Sequence, residues 1–473
     1  MNFIPNRVII TPTAKVHPRT ESILNRIISL NRNVEIIDST NQQPKLPDEL
    51  TELEKFNYLQ ETILLCTRSK AANYMEIFAS PGNIAENLGV MGKIINGCNM
   101  SCKKHFCYLT TAGRSVPWTR IYVDIENFIE QALKEKYVYM IVCSLWTAIS
   151  FYLKQPLNKV PKNFKQVCDK FIRSKVLSPR NEINNKKDAV HFLRSNLASL
   201  FRELEIQIKR NEFNLIRNNL DKYFRKNKEL PLYINIGEYT DICAYEHLTE
   251  NISTFLDAVD NYPDLHIKFR TKFPNLDGFI KHRNLSHVSI AVDLNTTYNI
   301  STFQDSCYKL DQRIAAVNLL ISKGVKVQLA IEPIIKYKGY EKDYISLMKM
   351  IEHKIDLTKI ESIKVGTVRY KTILLNKLRK LNGNTDHLND GQALVEPETG
   401  DKRWRYSVDD RINIYSMMIN ALSKKYQRKV SLGSENPEIW ERLGINLVGI
   451  HNKVLYQYSP KIRRVRVKSV IKK

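Results

Sequence analysis

Cysteine is scarce in this sequence, with 8 residues among 473. So few cysteines exclude the dense cross-linking of a small secreted disulfide scaffold. Acidic residues are outnumbered too, 49 against 73 lysines and arginines, which leaves a formal net charge of +24. Such an excess favours association with polyanions, above all nucleic acid. A generally basic proteome would produce the same bias without any ligand, so that reading stays open.

Long apolar runs are also missing. The uncharged, mostly apolar stretch at 137–153 has 17 residues, the lower end of the roughly 17–25 that span a bilayer. Tyr, Ser, Thr and Cys dilute this stretch, and a span here would divide one domain across a membrane. We therefore predict a buried helix. The first residues, MNFIPNRVII, lack the pattern of a signal peptide. We expect a cytoplasmic protein with no membrane partner.

Residues 1–88 are predicted to form a small N-terminal α/β unit. The runs RVIIT, VEIID and TILLCT are rich in β-branched residues, as strands are. They are separated by polar, proline-containing sequence of the kind that forms connections. The unit therefore reads as strands and helices in alternation.

Residues 89–381 alternate strand-like runs with amphipathic stretches such as IENFIEQALKE and RIAAVNLLISKG. Gly324 follows one such stretch, where a helix C-terminus places glycine. Six repeats imply a parallel sheet whose right-handed crossovers wrap into a full or partial barrel, with its chemistry at the carboxyl ends of the strands. The strand candidates are KIING, YINIG, HIKFRT, VSIAVDL, VQLAIEP and SIKVGTV.

Two further segments lie outside this strand–helix repeat, one inserted into it and one after it. Residues 137–229 are predicted as a basic helical insertion, because 151–230 hold 19 Lys/Arg against 8 Asp/Glu in a mainly helical pattern. A solvated bundle and a nucleic-acid clamp both fit it. Residues 382–473 form a C-terminal region with a polar loop, the helical stretch DDRINIYSMMINALSKKY and the basic tail PKIRRVRVKSVIKK. Such tails often contact phosphates.

Three of the few cysteines lie close together. Cys98, Cys102 and Cys107 give the spacing C-x3-C-x4-C in the loop GCNMSCKKHFCYLTT. Three thiolates can hold three irons of a four-iron cluster and leave the fourth open for S-adenosylmethionine (SAM). Thiolates also suit zinc, with His105 as the local fourth ligand. The position after the first predicted barrel strand, where a barrel active site belongs, favours the iron–sulfur cluster.

This loop resembles the cluster loop of radical SAM enzymes, and the wider chain resembles the spore photoproduct lyase family. That family has C-x3-C-x2-C followed by Tyr-Leu, and here the motif ends Phe-Cys-Tyr-Leu. The resemblance implies an α/β fold with a partial (β/α)6 radical SAM barrel. Its further segments are TRIYVDIENFIEQA, TDICAYEHLT, KFRTKF, KLDQRIAAV and PIIKYKGYEKDY.

The resemblance implies roles for matching positions. Cys98, Cys102 and Cys107 would bind a [4Fe–4S] cluster. The residues implied near SAM are Phe106, Gly237, Glu238 and Lys272. Weaker candidates at the ends of the barrel strands are Asp293, Asn295 and Glu332. Residues matching a basic–aromatic stretch that faces DNA in the family are Arg369, Arg403, Arg405, Tyr406 and Arg411. Arginine supplies bidentate phosphate contacts and tyrosine stacks on bases, although surface charge alone would explain the same residues.

Two departures from the family pattern matter. The third cluster cysteine is displaced by two residues. The cysteine that donates hydrogen to the substrate radical in the family is replaced by Glu238. Cys243 lies five residues further on, and Tyr239 and Tyr108 are the other candidate donors.

The predicted function is therefore a photoproduct-lyase-like radical SAM enzyme. It would cleave SAM to a 5′-deoxyadenosyl radical, with an electron donor such as a flavodoxin or ferredoxin. The substrate would be nucleic acid, DNA in preference to RNA, as in repair of UV thymine photoproducts. The alternatives are a radical SAM enzyme that modifies RNA or a peptide, and a non-catalytic nucleic-acid-binding protein with a structural metal.

Overall fold

The computed structural model describes most of the chain outside the cysteine loop, the insertion and the tail. The described residues are 3–41, 45–68, 75–77, 90–100, 118–134, 186–203, 214, 218, 232–237, 240–262, 265–282, 284–304, 308–381, 394–395, 403–433, 435 and 437–444. The chain forms two compact units. One comprises Met1–Glu76, Val90–Lys134 and Tyr233–Glu435, and the other Ile77–Gly89, Glu135–Leu232 and Asn436–Lys473.

Short strands and helices alternate along the described chain. The strands are β1 (Arg7–Ile10), β2 (Glu35–Asp38), β3 (Thr62–Cys66), β4 (Met75–Ile77), β5 (Val90–Gly92), β6 (Ile95–Asn96), β7 (Thr119–Tyr122), β8 (Leu232–Ile236), β9 (Leu265–Thr271), β10 (Val288–Asp293), β11 (Lys326–Ile334), β12 (Ile360–Thr367), β13 (Arg369–Lys371), β14 (Arg403–Arg405) and β15 (Val430–Leu432). The helices are α1 (Pro12–Lys15), α2 (Pro18–Leu30), α3 (Glu52–Gln60), α4 (Ile125–Lys134), α5 (Lys186–Glu203), α6 (Glu246–Thr249), α7 (Asn251–Asn261), α8 (Asp277–Ile280), α9 (Thr297–Phe303), α10 (Leu310–Ser322), α11 (Tyr340–Lys354), α12 (Thr372–Leu381), α13 (Val408–Asn420), α14 (Lys424–Gln427) and α15 (Pro437–Arg442).

The first sheet has five strands in the order β2-β1-β3-β7-β6. Strands β1, β2 and β3 are the three predicted β-branched runs, and they pair in parallel. β7 adds in parallel beside β3, and β6 closes the order antiparallel to β7. Leu64, Trp118 and Tyr122 belong to the buried cluster on this sheet. The predicted strands of the N-terminal unit are therefore confirmed.

The second sheet has eight strands in the order β15-β12-β11-β10-β9-β8-β5-β4. β5 pairs in parallel with β8, and the strands from β9 through β10, β11 and β12 to β15 pair in parallel with one another. β11 is buried along nearly its whole length, with only Lys326 exposed, as expected for an inner strand of a parallel sheet. Within the described part of the chain the sheet stays open, as a partial barrel does. The predicted fold class is confirmed.

The prediction for the first barrel strand was wrong. KIING was expected there, but β5 occupies that place beside β8, and Ile95–Asn96 pairs with β7 in the other sheet. The next residue, Gly97, has φ +110° and runs so close to β7 that a Cβ would lie 2.9 Å from the Thr119 Cα. A short β-branched run predicts a strand but not the strand with which it pairs. Here the close approach of Gly97 to Thr119 accompanies the pairing of β6 with β7.

The C-terminal region contributes a strand that the sequence did not predict. β15 pairs in parallel with β12, with Val365 beside Leu432. The antiparallel pair of β13 and β14 forms a separate two-stranded sheet. The division at 1–88, 89–381 and 382–473 stays a prediction, and the structure adds that residues up to Glu435 belong to the barrel's compact unit.

Helix ends follow local rules at two positions. Gly324 has φ +78° two residues after the end of α10, which confirms the predicted helix stop. The start of α7 is held by the buried Glu246 carboxylate, which accepts hydrogen bonds from the backbone N–H groups of Ile252 (2.8 Å) and Ser253 (3.2 Å).

Within the second unit the structure describes α5 as an 18-residue helix, in line with the helical character predicted for 137–229. The apolar stretch at 137–153 lies outside the described residues. Among the helices that the structure describes, none is both long and apolar enough to cross a bilayer.

Candidate active site

A buried carboxylate, that of Glu332, lies near the carboxyl ends of the barrel strands. Glu332 is on β11, and three cations from other strands surround it. Arg270 Nη2 of β9 lies 2.6 Å from Oε2, and Lys364 Nζ of β12 lies 3.3 Å from the same oxygen. Arg369 Nη1 of β13 lies 3.5 Å from Oε1. Barrel enzymes build their sites at this end of the sheet.

These cations keep Glu332 ionised. Burial by itself would raise the pKa of Glu332, but Lys364, Arg270 and Arg369 outweigh it and hold the pKa well below its ordinary value. Lys364 is as buried as the carboxylate, while Arg270 and Arg369 keep 24% and 26% of their side chains exposed. The two arginines therefore remain accessible from the barrel mouth.

Two glycines make room for this carboxylate. A Cβ at Gly366 or Gly433 would fall well inside van der Waals contact with Glu332 Oε1. Gly366 is on β12 and Gly433 directly follows β15, so the unpredicted strand supplies one wall of the pocket. Any larger residue at either position would displace the carboxylate from its cations.

Lys272 lies beside this group, directly after β9. Its Nζ is 3.3 Å from the backbone oxygen of Glu332 and 3.7 Å from Asp293 Oδ2. The Asp241 carboxylate fixes the local backbone, since it accepts hydrogen bonds from the N–H groups of Lys272 (2.5 Å) and Phe273 (3.2 Å). Burial raises the pKa of Asp241 to about 6. The structure thus brings the predicted residues Lys272, Asp293 and Glu332 together.

Asp293 ends β10 and is completely buried. Arg313 Nη1 lies 3.3 Å from its Oδ1, and Lys272 approaches its Oδ2. Burial raises the pKa of Asp293 against the pull of these cations. Oδ2 accepts no hydrogen bond from the residues that the structure describes, so this oxygen retains hydrogen-bonding capacity.

Asn295, a candidate for contact with SAM, lies two residues after the end of β10. It is fully buried, and its Oδ1 accepts hydrogen bonds from the Asn299 amide (2.9 Å) and the Tyr344 hydroxyl (3.0 Å). Its Nδ2 donates to the backbone oxygen of Pro333 at 3.0 Å. These contacts join β10 to β11 and favour a structural role over the predicted ribose contact.

The packing requires glycine at position 237, one of the residues implied near SAM. Gly237 has φ +105°, and a Cβ there would lie 2.9 Å from the backbone oxygen of Arg270. The end of β8 therefore passes directly beside β9. The remaining predicted residues of this part of the site lie outside the described residues: Cys102, Phe106, Cys107, Tyr108, Glu238 and Tyr239.

Two predicted cysteines are described, and both are buried. Cys98 stands two residues after the end of β6, at the start of the cysteine loop. Cys243 lies in a 3₁₀ helix, Ile242–Tyr245, between β8 and α6. Burial raises the pKa of the Cys243 thiol well above its usual value, so its sulfur keeps its proton.

Three residues expected to face nucleic acid lie inside the protein instead. Arg405 and Arg411 are 5% and 1% exposed, and both donate to the buried carboxylate of Glu435, at 3.2 and 2.6 Å. Tyr406 is buried, and its hydroxyl accepts the Lys336 backbone N–H at 3.0 Å. As the structure places them, these side chains do not reach a nucleic-acid surface.

The other two members of that set are closer to solvent. Arg403 is half-buried on β14 and pairs in register with Lys371 of β13, while Arg369 reaches Glu332. Sequence reasoning missed Arg270, Lys364 and Glu435. Nothing in their local sequence distinguishes them from solvated charges, so only spatial proximity reveals their partners.

The chain is similar to known spore photoproduct lyases. A curated relative from Geobacillus sp. (strain Y412MC61) is 17% identical over 369 residues, covering 78% of this chain and 79% of the relative. The relative from Bacillus subtilis (strain 168) is 18% identical over 358 residues, covering 74% and 73%.

Solved structures give the same fold. A spore photoproduct lyase complexed with dinucleoside spore photoproduct superimposes with a TM-score of 0.61 at 15% identity, covering 91% of this chain and 99% of that one. A doubly mutated spore photoproduct lyase with bound AdoMet and the same dinucleoside gives 0.59 with equal coverage and identity. A family model described as spore photoproduct lyase matches residues 3–141 and 209–386. Because this model matches well over half of the chain, the protein belongs to the spore photoproduct lyase family.

Proposed function

We propose that this chain is a radical SAM enzyme that reverses a UV-induced thymine photoproduct in DNA. The observation that carries the proposal is the family match, which spans the cysteine loop and every strand of the eight-stranded sheet except β15. The structural neighbours that bind AdoMet and the dinucleoside photoproduct support both the cofactor and the substrate class.

The proposed cofactors are a [4Fe–4S] cluster and SAM. Cys98 fits the cluster, since it is present as a thiol at the start of a loop that holds two more cysteines, Cys102 and Cys107. The chemistry supplied there is one-electron cleavage of SAM to methionine and a 5′-deoxyadenosyl radical, with a flavodoxin or ferredoxin as electron source. Phe106, Gly237 and Glu238 are proposed to hold SAM.

The residues around Glu332 have a distinct task in this proposal. Lys272 neutralises the SAM carboxylate, and Asp293 accepts a hydrogen bond from the cofactor. Glu332 keeps Arg270 and Arg369 in fixed positions at the mouth, where their partly exposed guanidinium groups meet the phosphates of the substrate. The net charge of +24 draws the enzyme to DNA over a longer range.

The decisive test is repair of a defined lesion. The protein is reconstituted anaerobically with iron and sulfide, reduced with dithionite, and given SAM with an oligonucleotide that carries one spore photoproduct. We expect restoration of two thymines that requires both SAM and the reduced protein, and no restoration when either is omitted. SAM cleavage without repair would favour an RNA or peptide substrate. A zinc-loaded protein that leaves SAM intact would favour the non-catalytic alternative.

Cys243 is our proposed hydrogen donor to the substrate radical, because its buried thiol keeps the S–H bond that donation needs. Cys243→Ala is expected to cleave SAM as the wild type does but to lower the yield of restored thymine at least about tenfold. The matched control is Cys66→Ala, which removes another buried thiol from β3. Unchanged repair by Cys243→Ala would transfer the role to Tyr108 or Tyr239.

A further inference from the structure

The chain that carries the first predicted cluster ligand is held from several sides at once. Gly97, Cys98 and Asn99 directly follow β6. Gly97 lies against β7, where a Cβ would come within 2.9 Å of both the Thr119 Cα and its Oγ1. Gly97 directly precedes Cys98, and its positive φ lets the backbone pass close to Thr119 at this point.

Asn99 holds the other side of the cysteine. Its buried Nδ2 lies 2.7 Å from the backbone oxygen of Leu59 and 3.0 Å from those of Gln60 and Thr62. These carbonyls belong to the end of α3 and the start of β3, where a helix leaves acceptors without internal partners. One amide group thus ties the cysteine loop to the N-terminal sheet.

Tyr245 completes the attachment from the barrel side. Its hydroxyl accepts the Asn99 backbone N–H at 2.7 Å and donates to Asn99 Oδ1 at 3.0 Å. The ring is completely buried and makes an edge contact with Phe3, with centroids 5.6 Å apart. Tyr245 ends the 3₁₀ helix that carries Cys243, so one hydroxyl connects the chain segments of the two cysteines.

We infer that Asn99 and Tyr245 are positioning residues that set the place of the Cys98 sulfur for iron ligation. The inference rests on the proposed function, because it takes Cys98 as a cluster ligand. Neither side chain would touch iron. They act through the backbone that follows Cys98, while the close approach of Gly97 to Thr119 fixes the backbone that precedes it. A buried hydrogen-bonded network holds such a segment rigidly. Outer groups of this kind orient ligands, and their loss typically weakens metal binding by about 10–100-fold.

Tyr245→Phe is the sharpest test, because it removes the hydroxyl and keeps the ring. The matched control is Tyr344→Phe. The Tyr344 hydroxyl also accepts a backbone N–H, that of Ile335 at 3.1 Å, and donates to an asparagine Oδ1, that of Asn295 at 3.0 Å. The Tyr344 hydroxyl also accepts a hydrogen bond from the Asn299 amide at 3.0 Å, so a general loss of stability from a missing buried hydroxyl would appear in this control.

The readout is iron retention. Reconstituted proteins are challenged with a chelator, and the iron and sulfide remaining per chain are followed with time. We expect Tyr245→Phe to lose iron about tenfold faster than Tyr344→Phe at a similar melting temperature. Equal rates in the two variants would overturn the inference.

A second measurement separates this inference from the proposed function. In iron-free protein, the rate at which iodoacetamide alkylates Cys98 is followed by mass spectrometry of its peptide. We expect Tyr245→Phe to raise this rate at least about threefold over Tyr344→Phe, because a loosened segment exposes the buried thiol more often. Wild-type protein that binds no iron would refute the proposed function alone. Unchanged alkylation would refute the positioning role alone.

Discussion

Cys98→Ala is expected to abolish iron–sulfur assembly and SAM cleavage together. Cys98 is one of three clustered thiols, and each would supply one protein ligand to the cluster. Loss of a direct ligand should exceed the roughly 10–100-fold effect of losing an outer-shell group. Iron per chain, the absorbance of the reconstituted protein and 5′-deoxyadenosine after reduction measure the effect.

Cys66→Ala is the matched control for this experiment. Cys66 is a buried cysteine on β3, and burial raises the pKa of its thiol to about 12, so it is not a ready thiolate ligand. The control should keep full iron content and SAM cleavage. A Cys98→Ala protein with the iron content of the Cys66→Ala control would contradict the assignment of the cluster loop.

Glu332→Gln is expected to lower the free energy of unfolding by about 3–5 kcal/mol. The substitution removes the negative charge that Arg270, Arg369 and the buried Lys364 share, and so leaves a buried positive charge uncompensated. Glutamine keeps the volume that Gly366 and Gly433 accommodate, so the effect reports the charge and not a cavity. Denaturant unfolding of the two proteins measures the difference. The same substitution should also weaken lesion binding, since Arg270 and Arg369 lose the group that orients them.

The control for Glu332 is an exposed ion pair. Lys15 and Asp38 keep 60% and 54% of their side chains exposed, and Asp38→Asn should change the unfolding free energy by less than about 1 kcal/mol. If both variants lost the same stability, Glu332 would not be the centre of a buried charge cluster.

The pH dependence of the unfolding free energy provides a second test of the Glu332 charge cluster. The pKa of Glu332 is lower in the folded protein than in the unfolded chain. Its contribution is therefore fully present above the unfolded value of about 4.3 and is lost as the pH falls from there toward the folded value. Wild type should lose more stability than Glu332→Gln on acidification below about pH 4.3. Parallel curves would contradict the assignment.

Much of the fold follows from local sequence. RVIIT, VEIID and TILLCT form strands because β-branched residues fit an extended, half-buried backbone, and Gly324 ends a helix because it adopts φ +78° without strain. The spacing of three cysteines in a cysteine-poor chain pointed to a cluster loop. These features depend on neighbours within a few residues, which the sequence displays directly.

Other features depend on partners that are distant in the chain. Ile95–Asn96 has strand character, but only the close approach of Gly97 to Thr119 assigns it to the N-terminal sheet. Arg405 and Arg411 match a DNA-facing stretch in sequence, but they are buried because the carboxylate of Glu435, 30 and 24 residues away, lies between them. A charged side chain looks the same in sequence whether it meets solvent or a buried partner.

The sequence by itself therefore determined the family, the strand and helix pattern and the cysteine motif. The tertiary structure alone decided which charges form the site. Glu332 meets Arg270 and Lys364 because the parallel strands of one sheet end at the same edge, and it meets Arg369 because β13 directly follows β12 there. These contacts join residues 62, 32 and 37 positions apart in the chain. Sequence separation carries no information about such contacts, since they arise from the order of strands in the sheet.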